Sequence, residues 1–171
     1  MADATGSAYN KPTDERWDAV AIRIYREAVI DRMGEPNPTG FRKLTRAEER
    51  VIVHKGTEPP FSGEYDHQFA AGTYVCKRCG NPLYESDAKF DSGCGWPAFD
   101  REVAGAVAQV RDPDGERTEI QCARCGAHLG HVFVGERLTA RNVRHCVNSI
   151  SMLFVPASGT AGHPPVPEDG P

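Results

Sequence analysis

The sequence has no long apolar run and no surplus of basic residues. No segment approaches the roughly 18 consecutive apolar residues that indicate a membrane-spanning helix. Residues 1–10 lack the basic start and apolar stretch of a secretory signal peptide. The formal net charge of -4 argues against a general binder of nucleic acid or anionic membrane, because such proteins attract phosphates with basic faces. We therefore expect a cytoplasmic monomer with neither a nucleic-acid nor a membrane partner.

At 171 residues, the chain has the length of one domain. Residues 1–12 are small and polar, and residues 156–171 are half proline and glycine, so both ends are predicted to be disordered. Residues 13–40 are predicted to form an N-terminal helical extension. Its apolar side chains recur at helical spacing up to the stop signal at Gly34: Trp17, Ala21, Ile24 and Ala28.

The rest of the chain is predicted to be mainly β in an α+β fold. Thr45 and Glu48 form a capping-box pattern, which predicts a second helix that ends before Gly56. From Gly72 onward, short β-rich runs alternate with turn residues, and we predict strands over 73–75, 105–111, 117–121 and 148–155. The run Asp112-Pro113-Asp114-Gly115 predicts a hairpin turn. We expect the helices to pack on an antiparallel β domain.

Four of the six cysteines form two C-x-x-C pairs. In a reducing compartment, paired cysteines are typically metal ligands or transient catalytic disulfides. Two short loops that present two thiolates each suit a tetrahedral zinc ion and leave no position for water, so the metal would hold the fold. A thioredoxin-like redox motif, the alternative, expects a βαβ context that the sequence lacks. The sequence predicts a structural zinc site formed by Cys76, Cys79, Cys122 and Cys125.

The other two cysteines stand in polar surroundings. If the chain around Cys146 is extended, Arg144 and Asn148 share its face, and the cation favours the thiolate, which is the nucleophilic form. A lone cysteine at the start of an apolar strand is, however, just as often a small buried hydrophobe. Cys94 lies between two glycines, as a mobile resolving thiol would, and the nearby Trp96 is suited to wall an apolar pocket or to join the core.

Two histidines follow the second cysteine pair. His128 and His131 would point to opposite faces of a regular strand, so a shared site requires a kink, which Gly130 permits. Such a pair is suited to proton donation at neutral pH. For either histidine alone, a structural hydrogen bond is the commoner role.

Several of these motifs together resemble the B-type methionine sulfoxide reductases. The resemblance is carried by the two cysteine pairs and by four runs in order: GTEPPFSG at 56–63, GCGWP at 93–97, HLGHVF at 128–133 and RHCVNS at 144–149. It covers about two thirds of the chain, which defines a reductase domain over 41–155. The family fold, two antiparallel sheets with N-terminal helices and a zinc site of four cysteines, agrees with the predicted segments.

The resemblance implies a function and a set of site residues. Cys146 matches the catalytic cysteine and Cys94 the resolving cysteine, while the positions of the substrate pocket and acid machinery match Trp96, His128, His131, Arg144 and Asn148. The implied reaction reduces the R epimer of methionine sulfoxide, mainly in oxidised proteins. It would pass through a Cys146 sulfenic acid and a Cys94–Cys146 disulfide that thioredoxin reduces.

Three departures from the family pattern concern the expected pocket rim. His145 stands where an aromatic residue is common, Ala98 where serine is usual, and Gly135-Glu136-Arg137 where an acidic-Gly-Pro run is frequent. Two other classes of function also fit part of the pattern. A zinc-ribbon-like binding module would use only the four paired cysteines, and a thiol peroxide sensor would use the other two without a sulfoxide substrate.

Overall fold

Nine strands form two antiparallel sheets in this computed structural model, which describes residues 27, 29–31 and 40–157. The three-stranded sheet has the order β2-β1-β9, and the six-stranded sheet has the order β3-β4-β8-β7-β6-β5. The strands are β1 (Gly72–Cys76), β2 (Pro82–Glu85), β3 (Lys89–Phe90), β4 (Ala98–Phe99), β5 (Val107–Arg111), β6 (Thr118–Cys122), β7 (His128–Val134), β8 (Val143–Val147) and β9 (Met152–Pro156). The predicted fold class is confirmed.

The core lies between the two sheets and is rich in aromatic rings. Tyr84 on β2 stacks on Phe99 of β4 with ring centroids 4.3 Å apart, and Tyr74 on β1 meets Phe99 edge-on at 5.1 Å. Each of these side chains is fully buried. Burial of one such side chain contributes about 1.5–3 kcal/mol, so this cluster is a major source of the sheet-to-sheet packing energy.

Helix α1 (Arg46–Ile52) confirms the capping-box prediction. The Thr45 hydroxyl accepts a hydrogen bond from the Glu48 amide at 3.3 Å, and the Glu48 carboxylate accepts one from the Thr45 amide at 2.8 Å. These two bonds satisfy amides that the first turn of a helix leaves free. Val51 and Ile52 at its other end are buried, so the helix is anchored to the domain by its last turn.

Most of the predicted helix over 13–33 lies outside the described residues. Of that segment, Glu27 and residues 29–31 are described, and they are helical. Val29 is buried against Val75 of β1 and Val155 of β9, so this piece covers the three-stranded sheet. The disordered ends predicted for 1–12 and 156–171 also lie outside the described residues, except that Pro156 belongs to β9 and Ala157 bonds to Ala71.

The hairpin predicted at Asp112 joins β5 and β6, whose bounds fall within two residues of the predicted ones. The strand predicted over 148–155 is wrong in its first half. Residues Ser149–Ser151 form a 3₁₀ turn through which the chain leaves β8 in one sheet and enters β9 in the other. The reason is Glu58, whose buried carboxylate accepts hydrogen bonds from the amides of Ser149 and Ile150 and so takes them away from any strand partner.

Among the described residues, no helix is both long enough and apolar enough to cross a membrane.

Candidate active site

Two thiols meet beside β8, an inner strand of the six-stranded sheet. Cys146 lies on β8, and Cys94 lies on the loop that leads into β4, the neighbour of β8. The Cys94 and Cys146 sulfurs are 3.9 Å apart, and both residues are partly exposed. Gly93 and Gly95 both have positive φ angles, of 66° and 90°, which allow the loop to turn sharply around Cys94. The sequence prediction that these two cysteines belong to one site agrees with this geometry.

The two thiols titrate unequally. A hydrogen bond from Cys146, followed by one from the Ser92 hydroxyl, lowers the pKa of Cys94 to about 5 in spite of its partial burial. The same contact with Cys94, together with burial, raises the pKa of Cys146 well above its ordinary value. The contact therefore favours a pair that loses one proton readily and holds the second one firmly.

His131 lies directly beside Cys146. The two residues are paired across β7 and β8, so their side chains share a face of the sheet. His131 Nε2 is 3.3 Å from the Asp112 carboxylate. Burial, followed by the charge of Arg117, lowers the pKa of His131, so that the ring is neutral at pH 7 and can donate an N–H hydrogen bond.

His128 shares this face because β7 contains one extra residue. The β6–β7 pairing runs from Ile120 opposite Gly130 to Gln121 opposite His128, so Leu129 has no partner and the alternation shifts by one. The rings of His128 and His131 lie 5.6 Å apart. Gly130 is needed here because a Cβ would overlap the carbonyl oxygen of Cys146. This irregularity is the kink that the sequence indicated at Gly130.

A cavity of about 140 Å³ opens above Cys146. Its lining, within the described residues, combines apolar rings and polar groups: Thr57, Trp96, Arg117, Gly130, His131, Phe133, Cys146 and Asn148. Trp96, His131, Cys146 and Asn148 are therefore brought together as expected. His128 lies behind His131, 2% exposed, and is not part of the lining.

Arg144, like His128, lies beside the cavity and is not part of its wall. Its guanidinium forms two hydrogen bonds with the Glu136 carboxylate, at 2.7 and 2.8 Å, and covers the Phe133 ring at 4.5 Å. Its charge still favours the Cys94 thiolate and thereby lowers the pKa of Cys94 further. Glu136 belongs to the run that departs from the family pattern, so this departure supplies the carboxylate that holds Arg144.

The other two departures do not touch the cavity. His145 points into the core, where Nδ1 is 3.1 Å from the Tyr84 hydroxyl, and it is 1% exposed. Burial lowers the pKa of His145. Ala98 is buried opposite Cys146 in the β4–β8 pair. Neither residue therefore alters the rim of the cavity.

Glu58 is a site residue that the sequence reasoning missed. Its carbonyl accepts a hydrogen bond from Trp96 Nε1 at 3.1 Å, and its amide donates one to Asn148 Oδ1 at 3.0 Å. Thus one residue fixes two walls of the cavity while its carboxylate caps the turn after β8. The only available signal was its place in the run GTEPPFSG, because a glutamate beside two prolines does not indicate burial. Thr57, Arg117 and Phe133 were also missed, because nothing in the sequence around them indicates that they line a cavity.

The four paired cysteines form one cluster, and three of them are part of the domain core. Their sulfurs all lie within 4.8 Å of one another, and two of the sulfur pairs, Cys76–Cys125 and Cys79–Cys122, are 3.7 Å apart. A tetrahedron with metal–sulfur distances of about 2.3 Å has edges of about 3.8 Å, which these separations match. Four thiolates at these separations repel one another, so a shared cation is needed to hold all four ionised. The cluster fits a metal ion.

The two cysteine loops are built alike. Gly80 and Gly126 follow the second cysteine of each pair with φ of 71° and 68°, a conformation that glycine adopts readily. Arg78 donates a hydrogen bond to the Cys125 carbonyl at 3.4 Å, and Arg124 donates one to the Cys79 carbonyl at 3.1 Å. Each loop therefore holds the other in place.

Comparison with known proteins agrees with this architecture. The SelR domain family matches residues 44–156. Peptide methionine sulfoxide reductase B3, chloroplastic, of Oryza sativa subsp. japonica is 58% identical over 116 residues, which is 67% of this chain and 51% of that protein. Peptide methionine sulfoxide reductase B5 of the same organism is 45% identical over 159 residues, 92% of this chain and 100% of that protein. The chloroplastic B2 protein of Arabidopsis thaliana is 54% identical over 140 residues, 77% of this chain and 69% of that protein.

This chain thus spans about half the length of the first relative and the whole length of the second. The family match, the identities and the paired-sheet fold with its cysteine cluster agree. The chain belongs to the peptide methionine sulfoxide reductase B family of oxidoreductases.

Proposed function

We propose that this protein reduces the R epimer of methionine sulfoxide, in oxidised proteins or as a small molecule, with Cys146 as the nucleophile. The observation that carries the proposal is the position of Cys146 beneath the cavity, with His131 beside it and a second thiol 3.9 Å away. A nucleophile, a hydrogen-bond donor and a resolving thiol are the groups that this reduction requires.

In the first step, the Cys146 sulfur attacks the electrophilic sulfur of the sulfoxide. The sulfoxide oxygen passes to Cys146 as methionine leaves, and the thiol proton ends on that oxygen, so the products are a sulfenic acid and a thioether. The neutral His131 ring beside Cys146 is placed to take that proton from the thiol and to donate it to the oxygen while the S–O bond weakens.

In the second step, Cys94 attacks the Cys146 sulfenic acid and water leaves. The two sulfurs need to approach from 3.9 Å to about 2.05 Å, a movement that the glycine-flanked loop can supply. An external dithiol of the thioredoxin class then reduces the disulfide by thiol–disulfide exchange.

The cavity itself supports discrimination between epimers. Trp96 and Phe133 offer apolar surface for the methyl group attached to the sulfoxide sulfur, whereas His131 and Arg117 offer donors for its oxygen. Only one epimer places both groups correctly while its sulfur faces Cys146. The family resemblance supports the R epimer as that one.

We also assign zinc to the four-cysteine cluster on the basis of its sulfur separations. Held by Cys76, Cys79, Cys122 and Cys125, zinc would join the β1–β2 loop to the β6–β7 loop and stabilise the fold. The reductase domain is assigned to 41–155, after a helical extension over 13–40. Cytoplasmic location and a monomeric state stay predictions.

A single-turnover experiment tests the chemistry. With R-sulfoxide and no reductant, the Cys94→Ser variant should form one methionine per protein, and dimedone should label Cys146 as the sulfenic acid. The unchanged protein should also form one methionine, but it should end as a Cys94–Cys146 disulfide that dimedone does not label. Methionine formation by Cys146→Ser would contradict the proposal. A peroxide sensor would form the disulfide with peroxide and no methionine with sulfoxide.

A further inference from the structure

His128 is a buried histidine whose two ring nitrogens have different surroundings. Nδ1 lies 2.7 Å from the Glu119 carboxylate. Within the described part of the chain, the buried Nε2 meets no hydrogen-bond partner. The ring lies edge-on to that of His131, with centroids 5.6 Å apart. A buried polar atom without a partner is rare enough to call for an explanation.

Glu119 is a buried carboxylate held by two cationic or donor groups. Its side chain is 4% exposed, and its second oxygen accepts a hydrogen bond from Lys55 Nζ at 2.8 Å. Burial alone would raise the pKa of Glu119, but the bonds with Lys55 and His128 hold it below its usual value. The Lys55 side chain is 58% exposed, so one row of polar groups runs from solvent to His128.

This row is assembled from three elements. Lys55 follows helix α1, Glu119 lies on β6 and His128 begins β7. In the β6–β7 pair, Glu119 is opposite His131, and only the extra residue in β7 brings His128 within reach of the same carboxylate. The bulge therefore serves the Glu119–His128 contact directly.

An ionised carboxylate can only accept hydrogen bonds. Glu119 therefore requires the His128 proton on Nδ1 and leaves Nε2 as an acceptor. His131 contacts its carboxylate through the other ring nitrogen: Nε2 is 3.3 Å from Asp112. In its neutral form His131 therefore carries its proton on Nε2, and only the doubly protonated ring also offers a donor at Nδ1.

We infer that Lys55 and Glu119 are positioning residues that lock His128 in the Nδ1–H tautomer and so hold an acceptor nitrogen behind His131. The lone pair of that nitrogen stabilises the doubly protonated form of the His131 ring, which faces the cavity and can act as an acid. This inference rests on the proposed function, in which His131 passes a proton to the sulfoxide oxygen.

The test is the isosteric variant Glu119→Gln, read by NMR and by kinetics. Lys55 bonds the amide oxygen of the new side chain, which turns its NH₂ group toward His128 Nδ1. The His128 proton should therefore move to Nε2. Long-range ¹H–¹⁵N correlation spectra of the reduced, zinc-loaded protein with ¹⁵N-histidine should show Nδ1–H in the unchanged protein and Nε2–H in the variant.

The kinetic readout is kcat for methionine sulfoxide with dithiothreitol. We expect Glu119→Gln to lower kcat at least about ten-fold with little change in KM, because proton transfer is impaired and not substrate binding. Lys55→Met should give a kcat between that of the unchanged protein and that of Glu119→Gln. Glu116→Gln, the same change at an exposed carboxylate of the same hairpin, should match the unchanged protein.

Three results would overturn the inference. They are an Nε2–H tautomer in the unchanged protein, an unchanged tautomer in Glu119→Gln, or a Glu119→Gln kcat equal to that of Glu116→Gln. A Lys55→Met kcat equal to that of the unchanged protein would remove Lys55 from the assignment. Failure of the proposed function would instead appear as an unchanged protein that reduces no sulfoxide while its His128 tautomer is as expected.

Discussion

His131 and Cys146 face each other across the β7–β8 pair, beneath a cavity of about 140 Å³. Because strands fix the spacing of opposite side chains, this pairing holds the proposed proton donor beside the proposed nucleophile without the aid of a loop. Cys94, in contrast, reaches the same point from a loop between two glycines with positive φ. The rigid pair suits the first chemical step, and the loop suits the disulfide-forming step.

Replacing His131 with asparagine should lower kcat about 100-fold or more and leave KM nearly unchanged. The substitution removes the group that donates to the sulfoxide oxygen, while Trp96 and Phe133 still form the pocket. Steady-state kinetics with dithiothreitol measure the effect. His67→Asn, at a side chain that is 77% exposed, is the matched control and should leave kcat unchanged. A full rate in His131→Asn would exclude it from proton donation.

The Cys94 thiolate should be visible by its absorbance near 240 nm. The pKa of Cys94 is lowered to about 5, so one thiolate should appear as the pH rises through that value. In Cys146→Ser, the main hydrogen-bond donor is replaced by a hydroxyl and the titration should move only slightly, whereas in Cys146→Ala it should shift upward toward an ordinary thiol.

Cys94→Ser should abolish the low titration and lower the pKa of Cys146 toward its ordinary value, because the neighbouring anion is gone. If Cys94→Ser retains a thiolate that titrates near pH 5, the charge assignment within the pair is wrong.

Removal of the metal should unfold the protein. Cys79→Ser breaks the four-sulfur cluster that joins the two loops, so we expect less than one zinc per chain and a large fall in Tm. Atomic absorption and thermal unfolding measure the two effects. Cys94→Ser removes a thiol outside the cluster and should keep one zinc per chain. Full zinc content in Cys79→Ser would contradict the assignment of the ligands.

Glu58→Gln should destabilise the protein by about 1–3 kcal/mol, because the buried carboxylate accepts hydrogen bonds from the amides of Ser149 and Ile150. Urea unfolding measures the loss in the free energy of unfolding. The change should also raise KM. The Glu58 backbone bonds Trp96 and Asn148 in the cavity wall, and it is held less firmly once the carboxylate is lost. Glu64→Gln, at an exposed carboxylate nearby, should alter neither quantity.

The sequence predicted the site best where the chemistry of a residue type decides its role. The four paired cysteines have a spacing that suits one metal, and the helix at Thr45 has a local capping signal, so both could be found without tertiary information. The cavity residues Trp96, Cys146 and Asn148 were found because they stand in recognisable runs. His128 and His131 were placed together because Gly130 marked the irregular strand.

What the sequence missed depends on contacts between distant segments. The 3₁₀ turn at Ser149 forms because Glu58, 91 residues earlier, accepts its amide. Local β propensity over 148–155 could not reveal that competition. Similarly, nothing in the chain near Glu119 indicates that Lys55 neutralises it, because that ion pair joins residues 64 positions apart.

The most direct measurement follows the two epimers of an N-protected methionine sulfoxide by chiral chromatography. Pure protein, with its zinc content measured, is incubated with the racemate and dithiothreitol. We expect the R epimer to disappear, the S epimer to remain, and Cys146→Ser to consume neither. Consumption of the S epimer, or of neither epimer by zinc-loaded protein, would contradict the proposed function.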